Sequence, residues 1–220
     1  MVARRIPKNY RVITGGVTSV KTKEGMAAFE GSLERDLYVL LDFDPDVSRF
    51  VEQPITIQYR DDRGKMRSYT PDVLIHYEKT GDKAADKAPL LAEVKFRKEL
   101  KEDWGKFKPR FRAAYREAKK RGWRFKTLTE REIRTPFLKN AKFLRRFRHK
   151  EYDQARADQI WIQMKQMREA DPESLVAAIT DDKWEKARLI SVLWQLVALG
   201  EIGVALTEPL NMRSRIWVLP

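Results

Sequence analysis

The sequence predicts an α/β fold, a mixed sheet flanked by helices, followed by a small C-terminal winged-helix-like domain. Three observations carry this. Segments of helical and strand period follow one another as helix, three strands, helix, strand, which makes a layered sheet with helices on its faces. Beyond Pro136 the period is almost entirely helical and ends in a hairpin signal. With 220 residues, 42% of them hydrophobic, the chain can bury a core in each part. The expected organisation is a basic N-terminal arm over residues 1–28, a core domain over 29–149 and a helical, winged-helix-like domain over 150–220.

Residues 2–24 alternate basic and small residues around Gly15-Gly16 and read as an irregular arm. Ser32 offers an N-cap for a helix carried by Leu33, Leu37, Leu40 and Leu41 and stopped by Asp44-Pro45-Asp46. Glu34 lies near its apolar face, on one ridge with Tyr38 and Leu41; periodicity does not choose it over Glu30 or Asp36. Residues 50–59 and 66–77 alternate in strand fashion around the turn Asp61-Asp62-Arg63-Gly64 and predict a hairpin. Residues 78–89 are polar and read as a mobile loop, and 90–96 suit a buried central strand. Trp104, Phe107, Phe111, Tyr115 and Ala118 mark a helix closed by Gly122, with Pro109 either at its first position or separating it from a preceding turn.

Residues 123–129 give one more strand, and Thr129 or Glu130 starts a short helix. Phe137, Ala141 and Leu144 then mark a helix that reads as a hinge between two halves. A helix over 152–170 carries Ile160, Trp161, Met164 and Met167 on its apolar side. Asp171-Pro172 caps the next, which contains Leu175, Val176 and Ile179. Thr180-Asp181 caps a long helix through Trp184, Ala187, Ile190, Trp194 and Val197, ended by Gly200. Residues 204–207 and 215–219 flank a hairpin turn, completing a helix, helix, hairpin order.

Chemistry concentrates in Thr70-Pro71-Asp72 and Ala92-Glu93-Val94-Lys95. Two positions apart on a strand, Glu93 and Lys95 share a face, and charge inside an apolar strand is costly unless it has partners or work. Asp72 belongs to the preceding strand run, so pairing of the two strands brings all three groups together. The absence of cysteine, with His76 and His149 the only histidines, excludes thiolate and histidine-rich sites; a metal here would be held by oxygen. Asp72 and Glu93 suit magnesium, and Lys95 would orient a water or stabilise charge on a phosphate, the equipment for phosphodiester hydrolysis.

Charge supports a polyanionic substrate. Residues 95–150 hold 22 Lys and Arg against 6 Asp and Glu, a net of +16, while the whole chain carries +13. Trp104, Phe107, Phe111, Tyr115, Trp123 and Phe125 are interleaved with these charges. Lys98, Lys101, Lys106, Lys108, Arg110 and Arg112, with Lys142, Arg145 and Arg146 further on, are the candidates for contact with double-stranded DNA. Residues 171–220 are acidic, with 5 Lys and Arg against 7 Asp and Glu, which favours protein docking over groove reading. No apolar run reaches the roughly 18 residues of a membrane span, and the first ten residues lack a secretory apolar segment, so no membrane association and a cytoplasmic protein are expected.

Phe29-Glu30-Gly31-Ser32-Leu33-Glu34-Arg35-Asp36, Asp42-Phe43-Asp44-Pro45-Asp46-Val47, Glu52-Gln53-Pro54, Tyr69-Thr70-Pro71-Asp72-Val73, Ala92-Glu93-Val94-Lys95 and Gly122-Trp123-Arg124-Phe125 with Thr129-Glu130 together resemble the TnsA endonucleases of Tn7-like transposons. The resemblance covers most of residues 10–150. It implies a PD-(D/E)xK restriction-endonuclease-like core and a bacterial, cytoplasmic enzyme. It also implies an active site of Glu34, Asp72, Glu93 and Lys95 that holds two Mg ions, with Mn as substitute, through the three carboxylates. Some relatives carry Gln at the position of Glu93. The implied activity is cleavage near the 5′ ends of the transposon, beside a TnsB-like transposase and a TnsC-like AAA+ ATPase that contacts the C-terminal part. Two alternatives stand beside it: a stand-alone PD-(D/E)xK restriction enzyme or junction resolvase, and a non-catalytic DNA-binding adapter.

Overall fold

The computed structural model describes residues 13–82, 86–148 and 151–219; the first twelve residues of the expected arm and His149 lie outside them. The chain divides into two compact units, Met1–Arg134 and Thr135–Pro220. The helix expected as a hinge therefore belongs to the second unit, whereas the expected boundary lay at residues 149 and 150.

The first unit opens with a hairpin. Strand β1 (Gly15–Thr18) pairs antiparallel with β2 (Met26–Phe29), and Val17 and Ala27 are buried, so this stretch of the expected irregular arm is ordered by packing. Gly15 and Gly16 leave room for the side chains across the pairing: a Cβ at either would stand 2.8 and 2.5 Å from those of Phe29 and Met26, which would have to shift. Helix α1 (Ser32–Phe43) follows, with Ser32 as its first helical residue and not its cap. It buries Leu33, Leu37, Tyr38, Leu40 and Leu41, and Tyr38 stacks on Phe50 at 5.5 Å.

The expected hairpin forms in two pieces. Strand β3 (Val47–Glu52) pairs with β6 (Val73–Tyr77), while β4 (Ile57–Arg60) pairs with β5 (Met66–Tyr69) beyond a break at Pro54 and Pro71. Proline has no N–H for a ladder, so both strands leave the sheet at these points. Strand β7 (Leu90–Val94) is buried at every position and lies between β6, antiparallel, and β8 (Arg124–Leu128), parallel. The sheet is thus mixed, in the order β3-β6-β7-β8. The parallel pair needs a crossover, supplied by α2 (Arg97–Glu102) and α3 (Trp104–Lys120).

Helix α3 runs through Pro109, contrary to both alternatives expected from the sequence. Pro109 falls in its second turn, where its missing N–H removes one ladder bond, the one to Gly105 C=O. The far end is closed by Gly122 at φ +72, with Trp123 N–H bonded back to Ala118 C=O at 2.8 Å. Phe111, Ala114 and Ala118 of α3 pack on Leu74 and Leu91 of the sheet. Helix α4 (Glu130–Ile133) starts from a capping box of Thr129 and Glu132.

The second unit contains α5 (Pro136–Arg148), α6 (Gln154–Met167), α7 (Pro172–Ile179) and α8 (Lys183–Leu199). Leu144, Ile160, Met164, Leu175, Leu189, Leu193 and Leu196 are fully buried, and Phe143 meets Trp194 edge to face at 5.3 Å. The sixth helix stops earlier than expected, turning at Arg168 (φ 61) into a short strand, β9 (Glu169–Ala170). Helix α8 is capped by Asp182, which accepts from Glu185 N–H at 2.7 Å, and not by Thr180-Asp181. Trp184, expected on its apolar face, is 73% exposed in the first turn. Strands β10 (Ile202–Val204) and β11 (Ile216–Val218) form the expected hairpin, and β9 adds a third strand beside β11. No helix among the described residues is long and apolar enough to cross a membrane.

Candidate active site

Antiparallel register assembles the site. Val73 pairs with Ala92 and Leu74 with Leu91, so the same register carried one residue further sets Asp72 across from Glu93. Lys95 follows on the face of Glu93, the face covered by α3.

Asp72 is fastened at both ends. Its Oδ2 accepts the Val94 N–H at 2.6 Å, and its C=O accepts the Gln53 N–H at 2.8 Å and the Tyr38 hydroxyl at 3.4 Å. Gln53 holds that geometry at φ 44, an unusual backbone for a residue with a side chain. Asp72 Oδ1 has no hydrogen-bond partner among the described residues. Burial, and next the charge of Glu93, hold the Asp72 carboxyl well above its usual range.

Glu93 is 2% exposed. Its Oε2 accepts the Tyr69 hydroxyl at 2.6 Å, and its Oε1 faces Lys95 Nζ at 3.1 Å and an Arg110 guanidinium nitrogen at 3.4 Å. Burial and then Glu93's charge push the Tyr69 phenol upward, so it stays protonated and remains the donor. Lys95 Nζ also lies 3.8 Å from Asp72 Oδ2 and donates to Val94 C=O at 2.9 Å. Burial works against its charge, but Asp72 and Glu93 outweigh burial, and its pKa is raised. The lowered lysine pKa that desolvation alone would produce is not what these neighbours allow.

Glu34 stands within electrostatic reach of Lys95 and Glu93, and accepts the Glu30 N–H at 2.9 Å. Burial raises its pKa. Asp36, which periodicity left as an alternative, is tied instead to Arg134 at 3.0 Å and Arg35 at 3.3 Å. Tyr69 and Arg110 complete the surroundings of Glu93. Neither was singled out for this place by the sequence, although Tyr69 sits three residues before Asp72.

Among the described residues no three Asp, Glu or His side chains are gathered tightly enough to hold a metal ion; Lys95 bridges Asp72 and Glu93 instead. The donor set still fits a hard divalent cation: it is all oxygen, and Asp72 keeps one oxygen uncommitted.

The expected DNA contacts fall into two groups. In the first unit Lys101, Lys108 and Arg112 are exposed, Lys98 pairs with Glu102, and Lys106 with Asp103. Lys142, Arg145 and Arg146 lie on α5 in the second unit. A groove of about 490 Å³ opens between α3 and β8, with Trp104, Tyr115 and Phe125 as apolar lining and Lys108, Arg112 and Arg116 as its cations. Thr127, the register partner of Glu93, also lines it.

A mixed sheet that sets an aspartate, a glutamate and a lysine side by side at the ends of two paired strands fits a nuclease core. Comparison with known families agrees: residues 44–130 match the TnsA-like endonuclease N terminal and residues 132–206 the TnsA endonuclease C terminal. The chain belongs to the TnsA-like transposon endonucleases. Asp72, Glu93 and Lys95 fall within the first match, and Glu34 precedes it. Membership implies use of a divalent metal in general. Among curated proteins, none matches the chain.

Proposed function

We propose that this chain cuts DNA at the 5′ ends of a Tn7-like element by Mg-dependent hydrolysis, as one subunit of a heteromeric transposase. The observation that carries this reading is the convergence of Asp72 and Glu93 on Lys95 Nζ, at 3.8 and 3.1 Å. Asp72 and Glu93, with Glu34 completing the set, would hold one or two Mg ions. When bound, such an ion supplies Lewis-acid polarisation of the scissile phosphate and lowers the pKa of a water. Lys95, charged beside Asp72 and Glu93, would orient the attacking water or stabilise the phosphoryl oxygens. The tyrosine hydroxyl on Glu93 and the Val94 N–H on Asp72 hold both carboxylates in orientation.

DNA phosphates are met by the cations of α2 and α3, including Lys108 and Arg112 beside the groove, and by those of α5. The second unit, with helices α6 to α8, the β10–β11 hairpin after them and β9 between α6 and α7 pairing with β11, is read as a winged-helix-like module. The acidic balance of residues 171–220 favours a TnsC-like ATPase as the partner of that stretch over DNA, with a TnsB-like transposase acting on the other strand.

The test is reconstitution with a DDE transposase and an ATPase encoded beside it, on DNA carrying transposon ends. Asp72→Ala and Lys95→Ala should each abolish 5′-end cleavage and leave DNA affinity within about twofold. Cutting by Asp72→Ala at the wild-type rate would end the reading.

A further inference from the structure

Arg110 occupies a position that phosphate contact along a helix does not account for. Its guanidinium is seated on three rings, 4.3 Å from Phe107, 5.3 Å from Tyr69 and 5.5 Å from Phe111. This seat fixes the plane of the group and aims it at the site. Yet the bonding it achieves is sparse. One nitrogen reaches Glu93 Oε1 at 3.4 Å, an oxygen already shared with Lys95 at 3.1 Å, and Arg110 Nε is buried with no hydrogen-bond partner among the described residues. An arginine carries five N–H donors in a fork shaped for a carboxylate or a phosphate. Here the fork is prepositioned and mostly unfilled.

Counting charge explains why it is there. Glu34, Asp72 and Glu93 bring three formal negative charges, and Lys95 and Arg110 two positive ones, leaving −1. The first divalent ion turns that balance to +1, which matches the single negative charge of a phosphodiester. Once Glu93 serves the ion, Arg110 loses its only acid partner among the described residues and faces the group that the ion brings in.

Resting on the nuclease reading above, we propose that Arg110 is a second active-site cation: it guards the Glu93 carboxylate against premature metal loading, and after loading it binds the scissile phosphate. Its two duties have opposite signs. Removing the charge should tighten metal binding, because a competitor for Glu93 has gone, while weakening cleavage, because a phosphate ligand has gone. An arginine that only packed the helix would, when lost, weaken both.

The experiment titrates Mn²⁺ into the full chain without DNA, read by the loss of the free-ion magnetic resonance signal, alongside cleavage in the reconstituted complex. Arg110→Met keeps an apolar side chain on Phe107 and drops the charge. It should bind Mn²⁺ about five- to tenfold more tightly and cleave at least about a hundredfold more slowly. Arg110→Lys keeps the charge without the fork, so its Mn²⁺ affinity should stay within about twofold of wild type while cleavage still falls about tenfold. Mn²⁺ affinity unchanged or weakened in Arg110→Met overturns the guarding role, and full cleavage by either variant overturns the phosphate role. If Arg110→Met does not fold, the lysine variant still decides: full cleavage, or Mn²⁺ binding shifted by more than about fivefold, overturns the proposal. Asp72→Ala separates the two levels: wild type that binds no Mn²⁺, or Asp72→Ala that binds it as well as wild type, removes the metal reading itself.

Discussion

Val94 donates its backbone N–H to Asp72 Oδ2 at 2.6 Å, so the aspartate is fastened to the main chain of the strand that carries Glu93. The relationship makes the distance between the two carboxylates a property of the β6–β7 pairing and not of two free rotamers. It also spends one aspartate oxygen on structure and leaves the other for chemistry.

Glu93 depends on a side chain in the same way. Tyr69→Phe deletes the 2.6 Å hydrogen bond to Oε2 while keeping the ring that packs at 6.4 Å from Phe111. Cleavage in the reconstituted complex should fall about 10- to 100-fold, with DNA binding unchanged, because a partner that orients the carboxylate proposed to hold metal has gone. Undiminished cleavage would show that Glu93 needs no such support.

Asp72→Asn should raise the melting temperature of the metal-free protein by a few degrees at pH 7 while abolishing cleavage. Burial and then Glu93's charge raise the pKa of Asp72, and asparagine still accepts the Val94 N–H. A carboxylate whose folded pKa is raised contributes stability that is present below its unfolded pKa and lost as pH rises through the folded one. The asparagine variant's advantage should therefore grow as pH rises from the ordinary carboxylate range toward neutrality, and vanish near about pH 4. Melting curves across pH check this, and a constant difference would contradict it.

Lys108 and Arg112 lie one helical turn apart on α3 and are exposed. Replacing both with Ala should lower the slope of log binding constant against log salt by about 2, since each phosphate contact contributes about 0.9. Fluorescence anisotropy on duplex DNA over a range of NaCl gives the slope. An unchanged value would place the DNA elsewhere.

Asn140 ties together the segment between β10 and β11. Its amide donates to Leu206 C=O at 2.8 Å and Glu208 C=O at 2.6 Å, and accepts the Leu210 N–H at 3.1 Å. Asn140→Ala should cost about 2–4 kcal/mol, three hydrogen bonds at about 1 kcal/mol each plus the groups left unpaired. Amide exchange should quicken first at residues 205–211. A neutral substitution would mean that the segment holds itself.

Elements with a strong local signal were legible without the fold. The Leu33-Leu37-Leu40-Leu41 period, the Gly122 stop and the Asp171-Pro172 cap each depend on a few neighbouring residues, and each stands where expected. Elements made by partners were not. The β1–β2 hairpin places Val17, Ala27 and Phe29 in the core, and nothing in either strand alone announces the other. Pro109 reads locally as a break, yet the packing of Phe111, Ala114 and Ala118 carries the helix through it.

The site divides along the same line. That Glu93 and Lys95 share a face, and that any metal here meets oxygen, follow from strand period and composition, both properties of the chain itself. The sequence also offers Asp72 as their partner, because it belongs to the preceding strand run, residues 66–77. Which acid of α1 faces them was left open by periodicity: Asp36 is consumed by Arg134, and Glu34 is left toward Lys95. Tyr69 and Arg110 around Glu93 are likewise decisions of tertiary structure. Residues 17 to 98 positions apart meet only through strand register and helix packing, and no local pattern encodes a contact whose other half lies on a different element.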